Sequence, residues 1–119
     1  MEYLLLIYSS EADEDRMEPA RLGELMQAYG RFTRSISESG HRRGSNRLRP
    51  VADATTVRVR NGKTLKTDGP FAETREQLGG YYLIEAANLD EALAIAARIP
   101  SAEYGSIEVR PIWPTPGPG

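Results

Sequence analysis

The chain has 119 residues, one domain by the usual length prior and long enough for a modest core of its own. Its net charge of −2 comes from interspersed acidic and basic residues, which argues against a dedicated nucleic-acid binder. It has no cysteine and one histidine, His41, which excludes disulfides, thiol chemistry and a multi-histidine metal site within one chain. The run Tyr3–Tyr8 is continuously apolar, bounded by Ser9-Ser10, and too short to span a bilayer. It predicts a central strand covered on both faces. The N-terminus shows no basic n-region or cleavage site, so no signal peptide is read and a cytoplasmic protein is expected.

Glu11 to Arg16 reads as a charged loop. Pro19 suits the first position of a helix, where its missing N–H costs nothing. Leu22, Leu25, Met26, Tyr29, Phe32, Thr33 and Ile36 then recur at three- and four-residue steps and predict one apolar stripe. Gly40 suits a left-handed stop. Arg43 to Arg49 reads as a short edge strand. Thr55 to Arg60 alternates, and Asn61-Gly62 is a strong hairpin signal. A two-residue loop would pair Val59 with Thr64 and Val57 with Lys66. A three-residue loop would pair Val59 with Leu65, and a bulge is expected.

Asp68-Gly69-Pro70-Phe71 is strong turn punctuation. Phe71 is expected to pin the turn to the core, and Thr74 to Leu78 to form one helical turn. Gly79-Gly80 is expected to let the backbone pass close to a neighbour before a strand, Gly80 to Ala86, that is apolar on both faces. Asn88 and Glu91 have the spacing of a helix N-cap pair. Leu89, Ala92, Leu93, Ala96 and Ile99 form the expected stripe, and Pro100 ends it. Ser106 to Ile112 is a last strand, with Ile107 and Val109 inward. Residues 1–113 form the domain, and 114–119 are a Pro/Gly-rich tail.

The order is β-α-β-hairpin-β-α-β: an α+β, ferredoxin-like sandwich with an inserted hairpin, its crossovers right-handed and both helices on one sheet face. Both central strands are apolar on their second face as well. A second copy is the simplest cover, so a homodimer packed sheet to sheet is expected.

Tyr3–Tyr8, Thr56–Arg60, Thr67–Ile84 and Gly105–Ile112 together resemble the YCII-related proteins, in the branch that carries the Asp-Gly-Pro-Phe motif (the DGPF domain). The resemblance covers nearly the whole chain up to Trp113. It implies a dimeric α+β barrel of ferredoxin-like subunits. It also implies kinship with a wider superfamily that includes small enzymes, among them a dehalogenase-like member that uses a His/Asp pair in a cleft, and an association of some members with extracytoplasmic-function sigma factors. One departure matters. Simpler relatives carry a histidine in the first helix after Pro-Ala, where Pro19-Ala20 is followed here by Arg21.

Asp68 is the candidate catalytic carboxylate, against the reading of a turn aspartate that accepts backbone N–H bonds. His41 is its candidate partner, against that of an exposed histidine past the helix end. Arg21, Arg47, Glu73 and Tyr82 are candidate substrate-binding residues, against a solvated face for the charged ones and a core position for the tyrosine. The sequence contains no Gly-rich phosphate loop, nucleophile elbow or metal triad, and no cofactor is expected. Two function classes stay open. One is a small-molecule binder or small enzyme with a cleft near Asp68. The other is a non-catalytic accessory or regulatory dimer, linked by family to a sigma factor.

Overall fold

In the computed structural model, which describes residues 1–115, the apolar run near the N-terminus is strand β1 (Glu2–Ser9). Residue by residue it alternates between buried and half-buried, the period-2 signature of a strand with one covered face. Helix α1 (Glu11–Asp15) follows directly, where a loop is expected. Ser10 caps it by accepting from the Asp13 N–H at 3.2 Å, and acidic residues fill its first turn, favourable at the positive end of a helix. Helix α2 (Pro19–Glu38) starts on proline, and Gly40 just past its end adopts φ of 83°, the left-handed stop.

Strand β2 (Arg42–Arg47) is the polar edge. The hairpin β3 (Thr55–Arg60) and β4 (Lys63–Asp68) forms a separate two-stranded sheet. Its loop is the plain two-residue turn: Asn61 and Gly62 take φ of 52° and 75°, and Val59 pairs with Thr64 and Val57 with Lys66. The expected hairpin bulge is absent, because both turn residues accept the positive φ that matches strand twist.

Strand β5 (Gln77–Glu85), helix α3 (Leu89–Ala96) and strand β6 (Ser106–Pro111) complete the chain. The main sheet has the order β2-β5-β1-β6, antiparallel throughout, with the helices on one face; this is the ferredoxin-like α+β arrangement. Tyr3, Leu5, Ile7, Tyr82 and Ile84 point under the helices and meet Phe32, Ile36, Ala92, Ile95, Ala96 and Ile99. Leu5, Ile36, Ile84 and Ile99 are essentially inaccessible, and each contributes about 1.5–3 kcal/mol relative to exposure. The α3 stripe is rotated from the expected one: Ile95 faces the core, while Leu89 and Leu93 stay exposed.

The glycine pair divides its work. A Cβ on Gly80 would stand 2.8 Å from the Asn46 carbonyl oxygen, so its close approach to β2 is real. Gly79 has open space, and is instead the extra residue of a β-bulge: Ile7 pairs with Gly80, and Tyr8 with Leu78. Thr74 to Leu78 forms no helical turn. Gln77 and Leu78 already belong to β5, and the preceding bend is tied by Gln77 Nε2 donating to the Thr74 carbonyl at 2.6 Å. The tail residues 116–119 lie outside the described residues.

Candidate functional site

Asp68 closes β4 opposite Thr55, and its carboxylate makes no ion pair or hydrogen bond among the described residues. The turn behind it is firmly held. The Gly69 N–H donates to the Ala54 carbonyl at 2.7 Å, and Thr56 Oγ1 donates to the Gly69 carbonyl at 2.8 Å. Gly69 has φ of 97°, a conformation that favours glycine. Phe71 is 79% exposed rather than pinned to the core: the chain does not rejoin the sheet until Gln77, so no core lies beneath it.

His41 is engaged elsewhere. Its Nδ1 meets Ser39 Oγ at 2.7 Å and its Nε2 meets Glu91 Oε1 at 3.1 Å. Glu91 also accepts the Ala87 N–H at 3.0 Å, and that bond, with His41 beside it, holds its carboxyl below the usual range. His41 borders a shallow recess with Met1 and Ala86, at the first end of β1. The Asp68 turn is tethered through Ala54 and Val51 to Glu11, at the other end. About 20 Å of strand separates the two ends, so one chain does not bring His41 and Asp68 together.

The remaining candidates scatter. Arg47 lies exposed on the edge strand opposite Gly80, and Glu73 is exposed in the loop after Phe71. Tyr82 is 6% exposed beneath α2, where its hydroxyl meets Thr33 Oγ1 at 2.6 Å and its ring stands edge-on to Phe32 at 5.1 Å. Arg21 stands apart from these, on the wall of a groove.

That groove encloses about 570 Å³ along α2, facing the segment that follows α3, and is of a size that suits a small molecule. At its wall Tyr104 enters a hydrogen-bonded chain. Tyr104 O–H donates to Glu14 Oε2 at 2.9 Å, and Glu14 Oε1 accepts from Ser9 Oγ at 3.1 Å. Since the Tyr104 proton is spent on Glu14, its oxygen accepts from Ser101 Oγ at 3.2 Å. Ser101 in turn accepts from the Tyr29 O–H at 2.5 Å. The protons therefore run one way, Tyr29 to Ser101 to Tyr104 to Glu14. Ser101 and Ser9 are buried, at 2% and 5% exposed. Burial pushes the Tyr104 phenol up to about 12, with the Glu14 carboxylate adding to it. Burial likewise raises Tyr29. Both phenols are thus neutral donors at neutral pH.

Sequence reasoning missed this chain. Tyr29 and Ser101 are 72 positions apart and Glu14 and Tyr104 are 90. The 3₁₀ turn Pro100–Glu103 brings them together. Gly105 after it packs so tightly that a Cβ would lie 2.3 Å from the Tyr8 carbonyl oxygen. The available signal was the local sequence Pro100-Ser101-Ala102-Glu103-Tyr104-Gly105, polar groups and a glycine between two buried elements.

A family model described as the YCII-related domain matches residues 1–116. The chain is also 40% identical over 114 residues to an uncharacterized protein of Rhizobium meliloti (strain 1021), covering 94% of this chain and 92% of that one. The ferredoxin-like sheet and these matches define the class, and the chain belongs to the YCII-related family.

Proposed function

We propose that the chain is a small-molecule-binding protein of enzyme-like construction, with its site in the groove between α2 and the turn after α3. One observation carries this reading: a neutral phenol, Tyr104, stands at the groove wall with its proton directed onto Glu14. A ligand O–H or acidic C–H beside Tyr104 can pass a proton to its oxygen as the phenolic proton moves to Glu14, and the reverse step returns it. Metabolite mixtures screened by amide NMR test it. Shifts should cluster at Leu25, Ala28 and Tyr104 and disappear in Tyr104→Phe. A ligand that binds well while leaving these residues unmoved would defeat the reading.

A second reading is favoured by the Asp68–Phe71 turn, a free carboxylate and an exposed ring on a hydrogen-bonded backbone. A second copy on the open sheet face would give that turn an opposite wall. Ligand shifts confined to Asp68–Phe71, and lost in Asp68→Ala, would favour this site over the groove.

A further inference from the structure

The geometry points to an organic anion as the ligand of the groove: a carboxylate joined to an apolar, preferably aromatic body. This rests on the groove being the site proposed above.

The floor is apolar. Leu25, Ala28 and Phe32 follow one another at three- and four-residue steps along α2, so they share one face of the helix. A flat hydrocarbon or aromatic body fits against such a strip. The rim is charged but unbalanced, with Arg21, Arg31 and Arg98 against Glu24 and Glu103. None of these five forms an ion pair among the described residues, so the arginines are free to meet a ligand.

Arg98 is also set in place in advance. Its guanidinium lies 5.6 Å above the Phe32 ring, and its Nη2 donates to Ser35 Oγ at 2.6 Å. Arg31 stands one helical turn before Ser35, so two guanidinium groups serve the same end of the groove. A planar fork held on an aromatic face is suited to a carboxylate, and its ordering is complete before the ligand arrives.

At the other end the Tyr104 oxygen, its own proton held by Glu14, accepts from a ligand hydroxyl. Tyr104 is tied through Ser101 to Tyr29, while Arg31 and Arg98 serve the Phe32–Ser35 level. The two ends are thus three to six helical residues apart, about 5–9 Å. A hydroxy-carboxylate with an aromatic or branched aliphatic middle spans that distance.

The test uses matched probes on the full chain, followed by calorimetry and amide NMR: 3-phenylpropionate, 3-phenylpropan-1-ol and 3-phenylpropylamine, the same three groups on an octyl body, and inorganic phosphate. The carboxylates should bind at least tenfold more tightly than the matched alcohols, with shifts at Leu25, Ala28 and Phe32. Arg31→Gln and Arg98→Gln should each weaken them about five- to tenfold, and added salt should weaken them further. Arg31 is exposed, so its variant keeps the test alive if Arg98→Gln loosens Phe32. If alcohols or amines bind the groove as well as carboxylates, the anion inference is overturned and the groove stands as a site. Phosphate binding as tightly as the carboxylates would overturn the apolar-body part. If no probe of any charge moves the groove residues, the groove reading falls and takes this inference with it.

Discussion

Three glycines show how closely packing is specified by one missing methyl group. Gly80→Val would drive side-chain carbon into the Asn46 carbonyl oxygen, 2.8 Å from the Cβ position. Backbone cannot yield as a flexible side chain can, so a loss of about 1–3 kcal/mol is expected in chemical denaturation. Gly105→Ala should cost at least as much, since its Cβ position is 2.3 Å from the Tyr8 carbonyl oxygen. Gly79→Ala meets open space and a negative φ, and should be nearly neutral; a large loss there would mean that the bulge tolerates glycine alone. The pair Gly79-Gly80 was legible in the sequence as a place of close approach. Which glycine does it was not, because a bulge one residue away shifts the register invisibly.

Tyr104 makes a second prediction at this scale. Its phenol is raised from 10.0 to about 12 in the folded chain, so the folded state holds its proton more tightly than the unfolded state. Stability therefore falls as pH rises between about 10 and 12, where the unfolded chain has already released the proton. Below pH 10 this group leaves stability flat. Denaturation midpoints across that range, with tyrosinate absorbance alongside, check it. Tyr104→Phe should lose the latest-titrating phenol and flatten the alkaline decline. A Tyr104 phenol that titrates near the ordinary 10.0 would show that it is not buried in solution as it is here.

At the scale of elements, α2 and β6 were legible from one apolar face, and β1 and β5 from short runs apolar on both faces. The α3 helix was harder. Leu89-Ala92-Leu93-Ala96 and Ala92-Ile95-Ala96-Ile99 are both valid helical stripes, and the sheet selects the second, whose alanines allow close approach. The hairpin was read correctly as an element, but its relation to the rest was not readable. Val57, Val59 and Leu65 are 58%, 59% and 47% exposed, so it adds little to the core of one chain. Gly62→Val, at φ of 75°, should strain the turn by about 1–2 kcal/mol. Hydrogen exchange should then quicken at Thr55–Arg60 and Lys63–Asp68 while β1 and β5 amides keep their protection. Equal loss in both sheets would mean that the hairpin is part of the cooperative core.

At the scale of the molecule, the sheet has two unlike faces. One lies under the helices. The other carries Leu4 opposite Leu83, Leu6 opposite Tyr81 and Tyr8 opposite Leu78, with only Asn46 of the edge strand bonding the Tyr81 hydroxyl at 2.7 Å. These central side chains shield one another to half-burial, yet no element among the described residues covers them. Apolar central strands with a bare face are better explained by a partner than by solvent, and a second copy brings the same surface in return. We therefore predict a homodimer of twice the 13.2 kDa chain mass by light scattering at micromolar concentration. Leu6→Lys should weaken it at least tenfold, about 1.4 kcal/mol, by placing a charge at the centre of the buried face. The lysine faces away from Tyr3, Leu5 and Ile7, so the monomer should keep its fold and its helical circular dichroism. A wild-type chain that stays monomeric at high concentration would leave the open face unexplained by a second copy. It would also leave the Asp68–Phe71 turn without an opposite wall, and the groove along α2, which needs no partner, as the site that a single chain can build.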